Sequence, residues 1–277
     1  MKSSDIFLFT QTYGDDRGLV FDWRSKDKNL NWFVKQFHNR LSFHNSSDAF
    51  VKEITDKHHD VWDEIVTFRD MSYTESFKKT IDYVKEKGFS KFIFMQDDVF
   101  STNKDIELYE ILVDFIKSRN FPMLNLSYSI NPIIENDFRK AIRHRELIEP
   151  RPVPPMTIYE MGASLWAVSC TNYDLMSQPA TRDSGEICEY FFDDTAFCCS
   201  TEFLDEIYDQ EYFTKDRIWA AEVYLHQKFA DIVIPRFCLN VGMFQNRNLC
   251  GRNTSKIKET LHWLENNFGN RGLDNEN

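Results

Sequence analysis

Glycine is scarce in this chain, and its scarcity removes two large classes of phosphate site. Nine glycines are spread over 277 residues. None falls in a G-x-G-x-x-G turn or a G-x-x-x-x-G-K-[ST] loop, so neither a dinucleotide fingerprint nor a P-loop is present. Long apolar runs are also missing, and nothing approaches the length that spans a bilayer. The opening MKSSDIFLFTQTYGDD holds only a short apolar run, which predicts no signal peptide. Positive charge is in deficit: 33 basic against 44 acidic residues gives −11. That balance argues against a general nucleic-acid or anionic-membrane binder.

Cysteine is absent from the first 169 residues. All six (Cys170, Cys188, Cys198, Cys199, Cys238, Cys250) lie beyond, and no C-x-x-C pair occurs. Metal-finger spacing is therefore lacking. The expectation is free, mostly buried thiols in a reducing, cytoplasmic compartment.

What the chain does have is apolar mass. Hydrophobic residues make up 42%, and Phe alone appears 25 times, enough for one substantial core. Strand-like runs occur at 5–11 (DIFLFTQ), 64–68 (EIVTF), 91–96 (KFIFMQ) and 122–129 (PMLNLSYS). Helical patterns lie between them. Ser72 and Glu75 form a capping box, Phe77, Ile81 and Val84 share a face with Tyr73, and Gly88 supplies the stop. A second helix opens near Asn103, with Tyr109, Leu112, Val113 and Ile116 on its buried face. Residues 29–40 and 48–56 also read as helical. Near-continuous apolar strands separated by amphipathic helices predict an α/β fold, with a mostly parallel sheet covered on both faces.

In such sheets ligands bind beyond the carboxyl ends of the strands. Those ends carry Thr10, Thr12 and Tyr13; Asp70; and Gln96, Asp97 and Asp98. The adjacent acids Asp97 and Asp98 follow a buried strand, so something positive must neutralise them. Hard carboxylate oxygens suit Mg²⁺ or Mn²⁺. Capping the next helix is the plainer use of such a pair.

The second half is less regular. PRPVPP at 150–155 marks a seam, TIYEMGASLWAVS at 157–169 reads as a strand pair or an extended segment, and 177–190 as a loop. A second acid pair, Asp193-Asp194, precedes a helix over about 201–208. Thr214 caps a further helix with Asp216 in its first turn, and IVIP at 232–235 returns as a strand. Asp216 there is either a helix-dipole carboxylate or a general base.

In this order, T-x-T-Y, a strand ending in Asp70, KFIFMQDDVF, GASLWAVSCTNYDL and FTKDRIWAAEVYLHQKFADIVIP, the chain resembles GT-A-type nucleotide-sugar glycosyltransferases with family-2-like features. The resemblance covers most of residues 5–240. It implies one GT-A-like domain with a nucleotide-sugar-binding half (1–149) and an irregular acceptor-binding half (150–277). It implies metal-dependent transfer of a sugar from a nucleotide-diphosphate sugar to a hydroxyl of a glycan or glycoconjugate, with inversion. Thr10, Thr12, Tyr13, Asp70, Gln96 and Asp97 would line the donor, and Asp98 would hold Mn²⁺ or Mg²⁺. Asp216 would be the base, with Asp194 its rival. The motif departs from D-x-D in carrying an amide, Gln96, and Lys215 stands where the family has Glu. A sugar nucleotidyltransferase and a non-catalytic carbohydrate- or protein-binding module are the alternatives. The first usually needs a Gly-rich basic loop after strand one, where this chain has TQTYGDDRG.

Overall fold

The structure is a computed structural model. It describes residues 3–13, 18–102, 104–121, 123–128, 157–162, 165–170, 180–181, 187–188, 196–204, 236–239 and 243–246.

The strands are β1 (Ser3–Tyr13), β2 (Phe37–His44), β3 (Glu64–Phe68), β4 (Lys91–Gln96), β5 (Val99–Ser101), β6 (Met123–Asn125) and β7 (Ser127–Tyr128). The second half adds β8 (Thr157–Gly162), β9 (Leu165–Cys170), β10 (Ala180–Thr181), β11 (Ile187–Cys188), β12 (Ala196–Ser200), β13 (Arg236–Leu239) and β14 (Phe244–Asn246). The helices are α1 (Gly18–Arg24), α2 (Lys28–Val34), α3 (Asp48–His58), α4 (Tyr73–Glu86) and α5 (Ile106–Ser118).

A nine-stranded sheet runs β3-β2-β1-β4-β12-β6-β13-β9-β8. β12 and β9 run against the others. The chain leaves β1 toward β2 and β3 on one side, then crosses back to β4 on the other. The β1–β4 boundary is therefore the switch point of the topology, where open α/β sheets bind ligands. A three-stranded sheet, β5-β14-β7, stands beside it, and β10 pairs with β11 alone.

Strand alternation splits the core into two layers. Ile6 and Leu8 of β1 face α1, α2, α3 and α5, packing with Phe21, Phe33, Phe50 and Leu112. Phe7 and Phe9 face α4, packing with Phe77, Ile81 and Val84. Adjacent Cys198 and Cys199 of β12 obey the same rule, one in each layer, and both are free and buried. Among the described residues no helix is long and apolar enough to cross a membrane.

Several elements follow the sequence reading. Ser72 and Glu75 close the capping box on α4, and Gly88 takes φ +73 beyond it. Tyr109, Leu112, Val113 and Ile116 are the buried face of α5, whose cap is Asp105. β8 and β9 form the strand pair.

Two readings are corrected. The stretch read as a helix over 29–40 is α2 followed by a turn and β2. FHNRLSFH does not alternate cleanly, since His38, Asn39 and Arg40 are three polar residues in succession, and Asn39, Arg40, Ser42 and His44 are all buried. Those buried polar groups hid a central strand. The 122–129 run divides into β6 and β7, which join different sheets. Of the predicted 201–208 helix, residues 201–203 form a 3₁₀ turn and Leu204 continues in helical backbone, while 205–208 lie outside the described residues. The IVIP strand and the helix carrying Asp216 lie outside the described residues, and the strand described there begins at Arg236.

Candidate active site

The carboxyl ends of β1 and β4 lie side by side, with Thr10 opposite Met95 and Gln11 opposite Gln96. Directly after Gln96 the chain turns through Asp97 and Asp98, then enters β5. The acid pair is thus the link by which the chain passes from the large sheet to the small one. Both acids are buried, Asp97 at 3% and Asp98 at 4% exposure.

Buried carboxylates need compensation, and a protein cation supplies part of it. Arg24, at the end of α1, is 2% exposed. Its Nη1 donates to the backbone carbonyls of Asp97 (2.9 Å) and Gln96 (3.2 Å), and Nη2 reaches Thr10 Oγ1 (3.4 Å). The guanidinium lies 5.5 Å from the Trp62 ring centroid. Burial lowers the Arg24 pKa to about 10, against the pull of Asp97, Asp27 and Asp98. It is therefore charged at neutral pH. The sequence reading missed Arg24. The signal was its spacing: Val20, Phe21 and Arg24 share one helical face, and Val20 and Phe21 are buried there.

Asp27 completes the surround. It caps α2 by accepting from the Leu30 amide at 3.0 Å. It also accepts from the Ser101 amide and hydroxyl, both at 2.7 Å. Burial raises its carboxyl above the usual range, with the Ser101 and Leu30 hydrogen bonds opposing. Asp27 thereby ties the start of α2 to β5, just past the acid turn.

The rim has two sides. Thr10 and Thr12 face the α1 layer. Gln11 faces α4, where its Nε2 donates to Ser76 Oγ at 3.2 Å. Gln11 Oε1 and Thr12 Oγ1 are buried and have no hydrogen-bond partner among the described residues. Buried polar atoms seldom go unpaired in a folded chain, and these two sit one on each face of the strand end, beside the acids. Tyr13 is the last residue of β1, paired with His44.

Asp70 is set apart. It is exposed beyond β3, the edge strand, and takes a left-handed φ of 52°, as Asn45 does (φ 54°) beyond β2. Both line a shallow cavity of about 520 Å³ with Ser46, Arg69 and Met71. Asn and Asp tolerate this conformation better than other side chains. The structure thus gathers Thr10, Thr12, Gln96, Asp97 and Asp98 at the switch point and places Asp70 two strands away. Asp194 and Asp216 lie outside the described residues.

The donor set fits a hard divalent cation. Two carboxylates lie at the switch point, with unpaired amide and hydroxyl oxygens beside them, and such ions take oxygen ligands. Among the described residues no three His, Cys, Asp or Glu side chains form a metal cage of their own.

No family model matches the chain, and no curated protein matches it by sequence. Its fold is similar to that of solved transferases. Residues 1–349 of S. aureus TarS are 12% identical over 99% of this chain and 67% of that one, with a TM-score of 0.47. A putative nucleotide-diphospho-sugar transferase from Desulfovibrio desulfuricans G20 is 8% identical over 95% and 98%, with a TM-score of 0.42. An inositol-1-phosphate CTP transferase from T. maritima is 11% identical over 96% and 98%, with a TM-score of 0.48. The likeness is one of fold.

Proposed function

We propose that this chain is a metal-dependent glycosyltransferase that moves a sugar from a nucleotide-diphosphate sugar to a hydroxyl of a glycan or glycoconjugate. One observation carries the reading. A buried acid pair facing Arg24 occupies the switch point of an α/β sheet, beside oxygens of Gln11 and Thr12 that have no partner among the described residues. Asp98 and Asp97 would hold Mn²⁺ or Mg²⁺, which offsets charge on a leaving diphosphate. Thr10, Thr12, Tyr13 and Gln96 would line the donor, and Asp70 would meet its base from the outer cavity.

An acidic side chain must take the acceptor proton. Asp216 and Asp194 are the candidates. Ala196, which opens β12, pairs with Met95 at this same sheet end, and Asp194 precedes it by two residues in sequence. Asp216→Asn and Asp194→Asn, made separately, identify which of the two is the base.

The nucleotidyltransferase reading is weaker on one point. Arg24 is engaged by two carbonyls and Thr10, which leaves it poorly placed to cradle a triphosphate.

Thermal unfolding with UDP or GDP tests the proposal. At about 100 times its dissociation constant a ligand contributes roughly 2.7 kcal/mol, and the shift should require Mn²⁺ or Mg²⁺. No shift with any nucleoside diphosphate and metal removes the proposal. Slow hydrolysis within a panel of nucleotide sugars identifies the donor. Pyrophosphate release from a nucleoside triphosphate and a sugar phosphate would instead select the nucleotidyltransferase.

A further inference from the structure

The amino end of the large sheet carries a second polar cavity, at the opposite end of β4 from the acid turn. Lys91 opens β4 and Gln96 closes it. At about 3.3 Å per residue the two ends stand roughly 17 Å apart. The cavity holds about 380 Å³ and is lined by Lys91, Phe115, Lys117, Ser118, Arg119, Asn120 and Phe121. That set contains three cations and no carboxylate, in a chain of net charge −11.

Lys91 is the telling residue. It is 4% exposed, yet no hydrogen bond or ion pair engages its ammonium among the described residues. Its one close partner is the Phe121 ring, with Nζ 5.9 Å from the centroid. Phe121 in turn stacks on Phe115, the rings 5.7 Å apart and nearly coplanar at 5°. The cavity therefore has an aromatic wall, an ammonium on a buried stem, and two further cations from the last turn of α5 and the residue after it. Lys91 Nζ is not among the buried unpartnered side-chain atoms, so the ammonium opens to the cavity from a buried stem. An anion there would meet three cations, and Asn120 adds neutral donors for its oxygens.

We propose that this cavity binds a small phosphate-bearing anion, distinct from any donor diphosphate at the switch point. Lys acts on phosphate as a point charge and Arg as a fork, and the volume suits a phosphate monoester. The rival account gives the cations a local purpose. Lys117 and Arg119 would answer the carbonyl end of α5, and Lys91 would rest on Phe121. That account predicts no anion affinity.

Thermal unfolding of the full chain against inorganic phosphate, in EDTA and at constant ionic strength held with chloride, separates the two. Chelation removes any metal-dependent phosphate binding at Asp97 and Asp98. The proposal expects a saturable rise in melting temperature for the wild type. Lys91→Met should abolish it. The double variant Lys117→Ala/Arg119→Ala, at surface positions that the fold does not need, should weaken it by on the order of tenfold or more. Tighter binding of a sugar phosphate than of inorganic phosphate would identify an organic ligand; equal binding would identify phosphate itself. No saturable rise in the wild type, or the same rise in the double variant, overturns the proposal.

Discussion

Arg24 grips the backbone carbonyl of Asp97 at 2.9 Å while its charge faces the carboxylates of Asp97 and Asp98. The cation that the buried acid pair demands is therefore supplied first by the protein. Three buried acids, Asp27, Asp97 and Asp98, all act on this one arginine.

Removing Arg24 should expose that imbalance. Arg24→Met keeps the volume and loses the charge and the fork of hydrogen bonds. The expected cost is about 3–5 kcal/mol, the usual penalty for leaving buried charge without its partner. The pH dependence carries the sign. In the variant Asp27, whose carboxyl burial already holds above its usual range, loses the opposing pull of Arg24, so stability is greatest at low pH, where that carboxyl is neutral, and falls as pH rises. Urea midpoints should therefore increase from pH 7 to pH 5 in Arg24→Met. A flat profile would mean that Arg24 does not compensate the acids.

Asp98→Asn should remove the metal-dependent part of nucleoside diphosphate stabilisation without unfolding the protein, because the amide relieves a buried charge. Thr12→Val tests the other side of the rim. Its hydroxyl has no partner among the described residues, so Val should leave stability unchanged or slightly higher. If the hydroxyl meets the donor, Val should weaken donor binding by about 1 kcal/mol. Calorimetric titration with and without Mn²⁺ checks both variants.

Much of this was legible in the sequence, for identifiable reasons. Ser72, Glu75 and Gly88 announced α4, because caps depend on local chemistry alone. Asp97 and Asp98 announced a strand end, because acids cannot continue a buried strand. β2 was illegible because it buries polar residues, two of them against partners far along the chain: Glu64 for Arg40 and Met71 for His44. Arg24 was hidden for the same reason: its acceptors lie 72 and 73 residues away. The placement of β12 between β4 and β6 depends on pairing that no local pattern records.

Glu64 predicts an acid limb in the stability curve. Burial acts to raise its carboxyl, but hydrogen bonds from Tyr83, Arg40 and His38 outweigh it and hold the pKa at about 2, from 4.5. A depressed carboxyl contributes stability above its unfolded pKa and loses it as pH falls through the folded one. The loss should run from about pH 4.5 down to about pH 2. Because the carboxylate is partly solvated, the contribution is about 1–2 kcal/mol rather than the full value of the shift. Glu64→Gln should cost that much at pH 7 and flatten the acid limb in urea titrations. An unchanged limb would assign acid unfolding to other carboxylates.

Asp27 separates positioning from binding. Its carboxylate joins the Leu30 amide to both donors of Ser101, and Ser101 lies three residues past Asp98. Asp27→Ala removes a helix cap and leaves the Ser101 donors buried, which predicts a loss of about 2–4 kcal/mol. Asp27→Asn keeps one carbonyl oxygen and removes a charge that burial already disfavours, so it should cost clearly less. If the Asp27–Ser101 tie holds the acid turn in register, Mn²⁺-dependent nucleotide binding should weaken by about 10–100-fold in Asp27→Ala, as for other groups that orient a ligand. Asp27→Asn should recover most of that affinity. Equal stability loss with unchanged Mn²⁺ dependence would make Asp27 a structural cap alone, with the acid turn held by Arg24.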